Sequence, residues 1–165
     1  MRRVNWFPTP NMQNATGMGN SADTASAGFV TVNGMRWLRC QRTADGDAYA
    51  QYALNGGTLP PAGTYHVTAI AYSDGGAGIF SVYAHVGGTD KILVESSVAN
   101  KATVGIDKIF TVPADCDQLL VRISPPSGVN GFMMLTGVNV ESKATYDARS
   151  TGPTVFDGDT IPYDN

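Results

Sequence analysis

The chain has 165 residues, a formal net charge of −3 and only 15% charged residues. A chain of this size folds as one domain and buries about 70% of its unfolded surface without metal or disulfide staples. Its basic residues are scattered apart from Arg2-Arg3 and the group Arg36, Arg39 and Arg42, which argues against a nucleic-acid surface.

The N-terminus reads MRRVNWFPTPNMQ, in which prolines interrupt the chain before any apolar run forms. No signal peptide is expected there, so synthesis in the cytoplasm is the expectation. No apolar stretch reaches the roughly 18 residues of a membrane-spanning helix. Residues 11–27 (NMQNATGMGNSADTASA) are small and polar, and are expected to form a surface loop.

Beyond residue 27 the pattern is that of strands. Runs rich in Val, Ile, Thr, Tyr and Phe are punctuated by 19 glycines and 9 prolines. Nine strands are expected, near 28–33, 35–42, 47–54, 63–72, 78–86, 90–95, 107–112, 117–124 and 131–141. Asn33-Gly34 joins the first two, and both residues tolerate the positive φ of a tight hairpin. Alternation fixes the faces. Tyr65, Val67, Ala69 and Ala71 oppose His66, Thr68, Ile70 and Tyr72. Phe80, Val82, Ala84 and Val86 oppose Ile79, Ser81, Tyr83 and His85, and Leu119, Val121 and Ile123 oppose Leu120 and Arg122. One apolar and one mixed face per strand predicts an all-β antiparallel sandwich of the jelly-roll kind over residues 1–141. Residues 142–165 are expected to be an extended C-terminal arm, its linker poor in large apolar groups.

Few residues point to chemistry. His66 and His85 lie on mixed faces of strands expected to be adjacent, where they could approach each other, and no nucleophile-elbow motif accompanies them. Asp45-Gly46-Asp47 and Asp157-Gly158-Asp159 resemble part of a calcium loop, but the later bidentate Glu is missing, and Asp and Gly are also what tight turns use. Cys40 and Cys116 sit among apolar neighbours without metal-ligand spacing and read as buried thiols, with a bridge left open. The only glutamates are Glu95 and Glu141, at strand ends, so no Glu pair for glycoside hydrolysis is expected. Trp6, Phe7, Trp37, Tyr49, Tyr52, Tyr65, Tyr72 and Tyr83 would stack on sugars if exposed, and most read as packing between sheets.

Five motifs in order carry a family resemblance: NWFPTPNM at 5–12, DAYAQYAL at 47–54 with LPPAGTYHVTAIAY at 59–72, FTVPAD at 110–115, LLVRI at 119–123, and MLTGVNVES at 134–142 followed by FDGDTIP at 156–162. They resemble the jelly-roll modules related to carbohydrate-binding modules. The closing pair is similar to endings of minor tail and other virion proteins of bacteriophages. The resemblance implies a non-enzymatic virion structural protein, a minor tail or tail-tip component acting in assembly and adsorption. Its implied partners are other virion proteins, copies of itself and a host cell-surface glycan. The alternatives are a glycan-binding module for host cell-wall polysaccharide, or a capsid decoration protein. The implied location is the virion, with no membrane insertion. Glycan-binding relatives often hold calcium with an Asp in the last strand. Thr136-Gly137 stand there, and Thr9 replaces the usual Asn of the opening, so no cofactor is expected. Phe156, Asp157, Asp159 and Tyr163 of the arm are the expected partner-binding residues.

Overall fold

The computed structural model describes residues 2–148 and 155–157. Twelve strands run in chain order: β1 Arg2–Val4, β2 Met18–Asn20, β3 Ala25–Val32, β4 Met35–Arg42, β5 Ala50–Asn55, β6 Gly63–Asp74, β7 Gly78–Val86, β8 Thr89–Val98, β9 Ala102–Val112, β10 Gln118–Ser124, β11 Phe132–Ser142 and β12 Val155–Asp157. A short helix, α1, spans Lys143–Asp147. A first sheet has the order β2-β5-β10-β7-β8 and a second the order β3-β4-β11-β6-β9. Every pairing within these two sheets is antiparallel, and they face each other as a sandwich.

All nine expected strands form. Asn33 and Gly34 take φ of 52° and 78°, the left-handed pair that a two-residue hairpin requires. β9 begins at Ala102, five residues earlier than expected, because β6 pairs with it continuously from Gly63↔Val112 to Ser73↔Ala102. The apolar parities meet between the sheets, where Tyr65, Val67, Phe80, Val82, Leu119, Val121 and Ile123 are buried with Leu38, Cys40, Tyr52, Met133 and Leu135. Each large apolar side chain buried there is worth about 1.5–3 kcal/mol.

The 11–27 segment differs from a simple surface loop. Met12 and Ala25 are buried, and Met18–Asn20 pairs with β5 as a short edge strand. Tyr52 is responsible in part, since its ring packs edge-on against Phe7 at 5.1 Å and its hydroxyl donates to the Asn14 carbonyl at 2.8 Å.

The opening motif acquires a structural role. β4 pairs with β11 only from Phe132 to Leu135, and a bulge follows between Thr136 and Asn139. Past the bulge the N-terminal segment takes the place of β4. Asn5 Nδ2 donates to the Val138 carbonyl, Val140 N–H donates to Asn5 Oδ1, and Trp6 N–H donates to the Val140 carbonyl. The side chain of Asn5 thus satisfies backbone groups that a missing strand would leave buried and unbonded.

The start of the expected arm is docked instead of extended. Ser142 caps α1, its Oγ accepting from Thr145 N–H at 3.3 Å. The Tyr146 ring lies on His66 at 3.7 Å with an interplanar angle of 14°, and its hydroxyl donates to Asp107 Oδ2 at 2.6 Å. A tyrosine at this position supplies the apolar anchor that a composition poor in large groups conceals. β12, which contains Phe156 and Asp157, pairs in parallel with β1 of the same chain, Arg3 opposite Phe156 and Val4 opposite Asp157. Among the described residues of the expected arm, the Val155–Asp157 backbone pairs within its own chain. Asp159 and Tyr163 lie outside the described residues.

Candidate functional site

The two histidines are on different sheets. The chain crosses between sheets after β6, at Gly75 and Gly76 with φ of 87° and 142°, so His66 belongs to the second sheet and His85 to the first. Sequence adjacency of β6 and β7 suggested a hairpin, but the jelly-roll path separates them. His66 is covered by Tyr146, its Nδ1 3.0 Å from Asp107 Oδ1, and serves to seat α1. His85 instead belongs to a cluster on the outer face of the first sheet.

That cluster is assembled from the four neighbouring strands β5, β10, β7 and β8 and the residues just before β5. β10 lies between β5 and β7, so its outward Arg122 stands opposite Gln51 on one side and Ser81 on the other. Tyr49 precedes β5 with the same outward parity as Gln51, and Tyr83 follows Ser81 on β7. The Arg122 guanidinium carbon is 4.3 Å from the ring centroids of both Tyr49 and Tyr83. Arg122 Nε donates to Gln51 Oε1 at 2.8 Å, and Nη2 donates to Asp90 Oδ2 at 3.2 Å. The other oxygen of Asp90 is 2.7 Å from His85 Nδ1. Each cation–ring contact contributes on the order of 0.5–2 kcal/mol, according to how far the pair is desolvated.

The electrostatics favour a fixed cluster. The hydrogen bond to Asp90 raises the His85 pKa above its ordinary value, the Asp117 and Asp90 charges add to it, and desolvation opposes it. A sheet holds these groups on rigid strands. Half-buried aromatic rings beside planar amide, carboxylate and guanidinium groups match a ligand with apolar C–H faces and a rim of hydroxyls. Among the described residues neither the Tyr49 nor the Tyr83 hydroxyl has a partner, which leaves both phenols to bond such a ligand.

The other aromatics divide as the parities require. Phe7, Tyr52 and Tyr65 are buried in the core, whereas Trp37 and Tyr72 lie on the outer face of the second sheet. Parity along LLVRI and IFSVYAHV already placed Arg122 and the Tyr83–His85 pair outward. The position of β10 between β5 and β7, which brings Tyr49 to them, had no local signal.

Thr9 and Thr136 are both bonded to backbone. Thr9 Oγ1 accepts from Gln13 N–H at 2.8 Å, and Thr136 Oγ1 donates to the Arg36 carbonyl at 2.7 Å. Among the described residues no group of three or more His, Cys, Asp or Glu side chains is placed to hold a metal ion. Cys40 and Cys116 are free, and Cys116 is only partly buried. Burial pushes the Cys40 thiol up to about 12, against the opposing charge of Arg42. Arg42 itself is structural, donating through Nε to the Pro126 carbonyl at 2.6 Å and through Nη1 to the Gly46 carbonyl.

The two five-stranded antiparallel sheets make the fold a jelly-roll β-sandwich. No family model matches the chain, and no curated protein matches it in sequence. Among solved structures it is similar to the C-terminal family 22 carbohydrate binding module of the Clostridium thermocellum xylanase Xyn10B, with a TM-score of 0.61 and 15% identity over 87% of this chain and 92% of that one. It is similar also to the N-terminal family 22 and catalytic modules of the same enzyme complexed with xylohexaose, with a TM-score of 0.61 and 15% identity over 79% of this chain but only 27% of that one. A third similar structure is the enzymatically active domain of bacteriophage CBA120 tailspike protein 4, with a TM-score of 0.56 and 12% identity over 82% of this chain and 21% of that one. At these identities the likeness shows the fold alone.

Proposed function

We propose that the chain is a non-catalytic glycan-binding module that holds a saccharide on the outer face of its first sheet. The carrying observation is Arg122 fixed between the Tyr49 and Tyr83 rings, with Gln51, Asp90 and His85 around it. A sugar would lay its apolar face on the tyrosines and bond its hydroxyls to the planar groups. Similarity to modules from a xylanase, one of them seen with xylohexaose, supports a polysaccharide ligand.

A binding role fits the carboxylates better than hydrolysis does. Glu141 is buried in an ion pair with Arg3. Asp90 and Glu95 stand opposite His85 and Ser81, four residues apart along β7. That is about 13 Å of strand, wider than the roughly 5–10 Å that a pair of glycosidase carboxylates needs. The direct experiment is calorimetric titration with xylohexaose and with purified bacterial cell-wall polysaccharide. Binding to at least one, lost in Arg122→Ala and Tyr83→Ala, is the expected result. Binding to neither would sink the proposal.

A second reading puts this module on a bacteriophage particle, in assembly and host adsorption. The tailspike likeness favours it, together with the resemblance of the opening and closing motifs. Repeated copies would then follow from the symmetry of the particle. Labelled antibody against the chain, viewed on purified particles, would place it on tail or capsid; absence from every particle would dispose of this role.

A further inference from the structure

The second sheet ends in an open strand edge. In the order β3-β4-β11-β6-β9 the outermost strands are β3 and β9, and among the described residues no strand pairs with the far side of β3. The hydrogen bonds of β4 decide which groups face that side. Arg42 N–H donates to the Gly131 carbonyl and the Arg42 carbonyl accepts from Asn130 N–H, so both point away from β3. The Arg36 carbonyl likewise accepts from Thr136 Oγ1 of β11. Residues of an antiparallel strand bond alternately to its two neighbours. Ala25, Ala27, Phe29 and Thr31, which stand opposite Arg42, Cys40, Leu38 and Arg36, therefore turn their N–H and C=O groups to the free edge. Ala25 obeys this parity, because its N–H donates to the Ser21 carbonyl and its own carbonyl accepts from Asn20 Nδ2. Among the described residues Ala27, Phe29 and Thr31 have no such partners.

Sheet edges are ordinarily blunted by charge, proline or shortness. β9 carries Asp107 and Lys108, β8 carries Asp90, Lys91 and Glu95, and β2 has three residues. β3 (ASAGFVTV) has eight residues and none of these devices, and its Val32 is 41% exposed. The open stretch is also self-complementary. It is bounded at one end by Ala25, whose edge groups are taken, and at the other by the hairpin turn at Asn33-Gly34, with Phe29 at its centre. A second copy running antiparallel would set Phe29 opposite its own copy, Ala27 opposite Thr31 and Gly28 opposite Val30. A Cβ at Gly28 would meet nothing within 4 Å, which leaves room there for the facing valine.

We infer that the free edge of β3 pairs with β3 of a second copy, joining the second sheets of two chains across a twofold axis. Each chain gives the N–H and C=O of Ala27, Phe29 and Thr31 to the other. Paired residues keep their side chains on the same side of a sheet, so the axis stands perpendicular to it. Both first sheets then lie on one side of the joined sheet, with their Tyr49–Arg122–Tyr83 faces turned the same way. On the glycan reading above, on which this consequence alone rests, two such faces engage one polysaccharide together.

The test is sedimentation of the full chain from about 10 μM to about 1 mM, without glycan. A monomer–dimer equilibrium is expected. Thr31→Pro removes an N–H that faces the free edge, and should weaken the dimer by roughly tenfold or more with circular dichroism unchanged. Val30→Lys sets a charge on the edge strand and should do the same. Amide exchange at Phe29 and Thr31 should slow as concentration rises. A chain that stays monomeric throughout would overturn the inference and leave the edge to an extended segment of another protein. So would a dimer unchanged in both variants. Amides equally protected at every concentration would also overturn it, since the chain would then cover its own edge. Sedimentation uses no glycan, so this inference and the glycan reading fail separately.

Discussion

Arg3 and Glu141 close a two-bond clasp between residues 138 positions apart, with Nε donating to Oε1 at 2.6 Å and Nη2 donating to Oε2 at 2.5 Å. Glu141 is fully buried, and Asn139 Nδ2 adds a third bond at 3.2 Å. The clasp fastens β1 to β11, and β12 in turn pairs with β1. It therefore links β1, and β12 through it, to the second sheet.

Removing either partner breaks a buried, charge-assisted two-bond contact. Glu141→Gln and Arg3→Met should each destabilise the fold by about 3–5 kcal/mol. The double variant Arg3→Met/Glu141→Leu should cost less than the sum. Urea denaturation of the three variants checks this, and additive losses would show that the two groups act independently.

Protonation of His85 should be linked to Asp90. Its pKa is raised in the folded chain, chiefly by the hydrogen bond to Asp90. The stabilisation is therefore fully present below the unfolded value and is lost as pH rises through the folded one. NMR titration should find His85 above the ordinary histidine value, and Asp90→Asn should bring it down. An unchanged value in Asp90→Asn would show that the bond is not made in solution.

The two thiols should differ in reactivity. Cys40 is buried with its pKa pushed up to about 12, whereas Cys116 is partly buried and donates to the Gln118 carbonyl at 3.2 Å. A thiol reagent at neutral pH should modify Cys116 first and Cys40 only as the chain unfolds. Equal rates under native conditions would mean that the β4 core position opens readily.

Tyr146 should hold α1 in place. Tyr146→Phe removes the hydroxyl bond to Asp107 and should cost about 1–2 kcal/mol. Tyr146→Ala also removes the stack on His66 and should cost more. Amide exchange across residues 143–147 is the readout. Protection unchanged in Tyr146→Ala would mean that the helix does not depend on this contact.

Much of the sandwich is legible in alternation. TYHVTAIAY and IFSVYAHV announce both their strands and their buried faces, because side chains of period two can satisfy only one core. Asn33-Gly34 announces its hairpin through backbone freedom. What alternation cannot carry is partnership. His66 and His85 read as neighbours because nothing local marks the crossing from one sheet to the other. β1, β2 and β12 have three residues each and owe their form to the edges they pair with. Glu141 reads only as a strand-end glutamate until Arg3 is brought to it. Alternation placed Arg122 and Tyr83 on the mixed faces of their strands but gave Tyr49 no face, and only the strand order joins the three.

Titration of the chain with xylohexaose and with cell-wall polysaccharide, run beside Arg122→Ala, tests the central claim most directly. The account predicts saturable binding by the parent chain and its loss in Arg122→Ala, with both proteins equally folded by circular dichroism. Binding that survives Arg122→Ala, or a parent chain that binds no glycan, would contradict it.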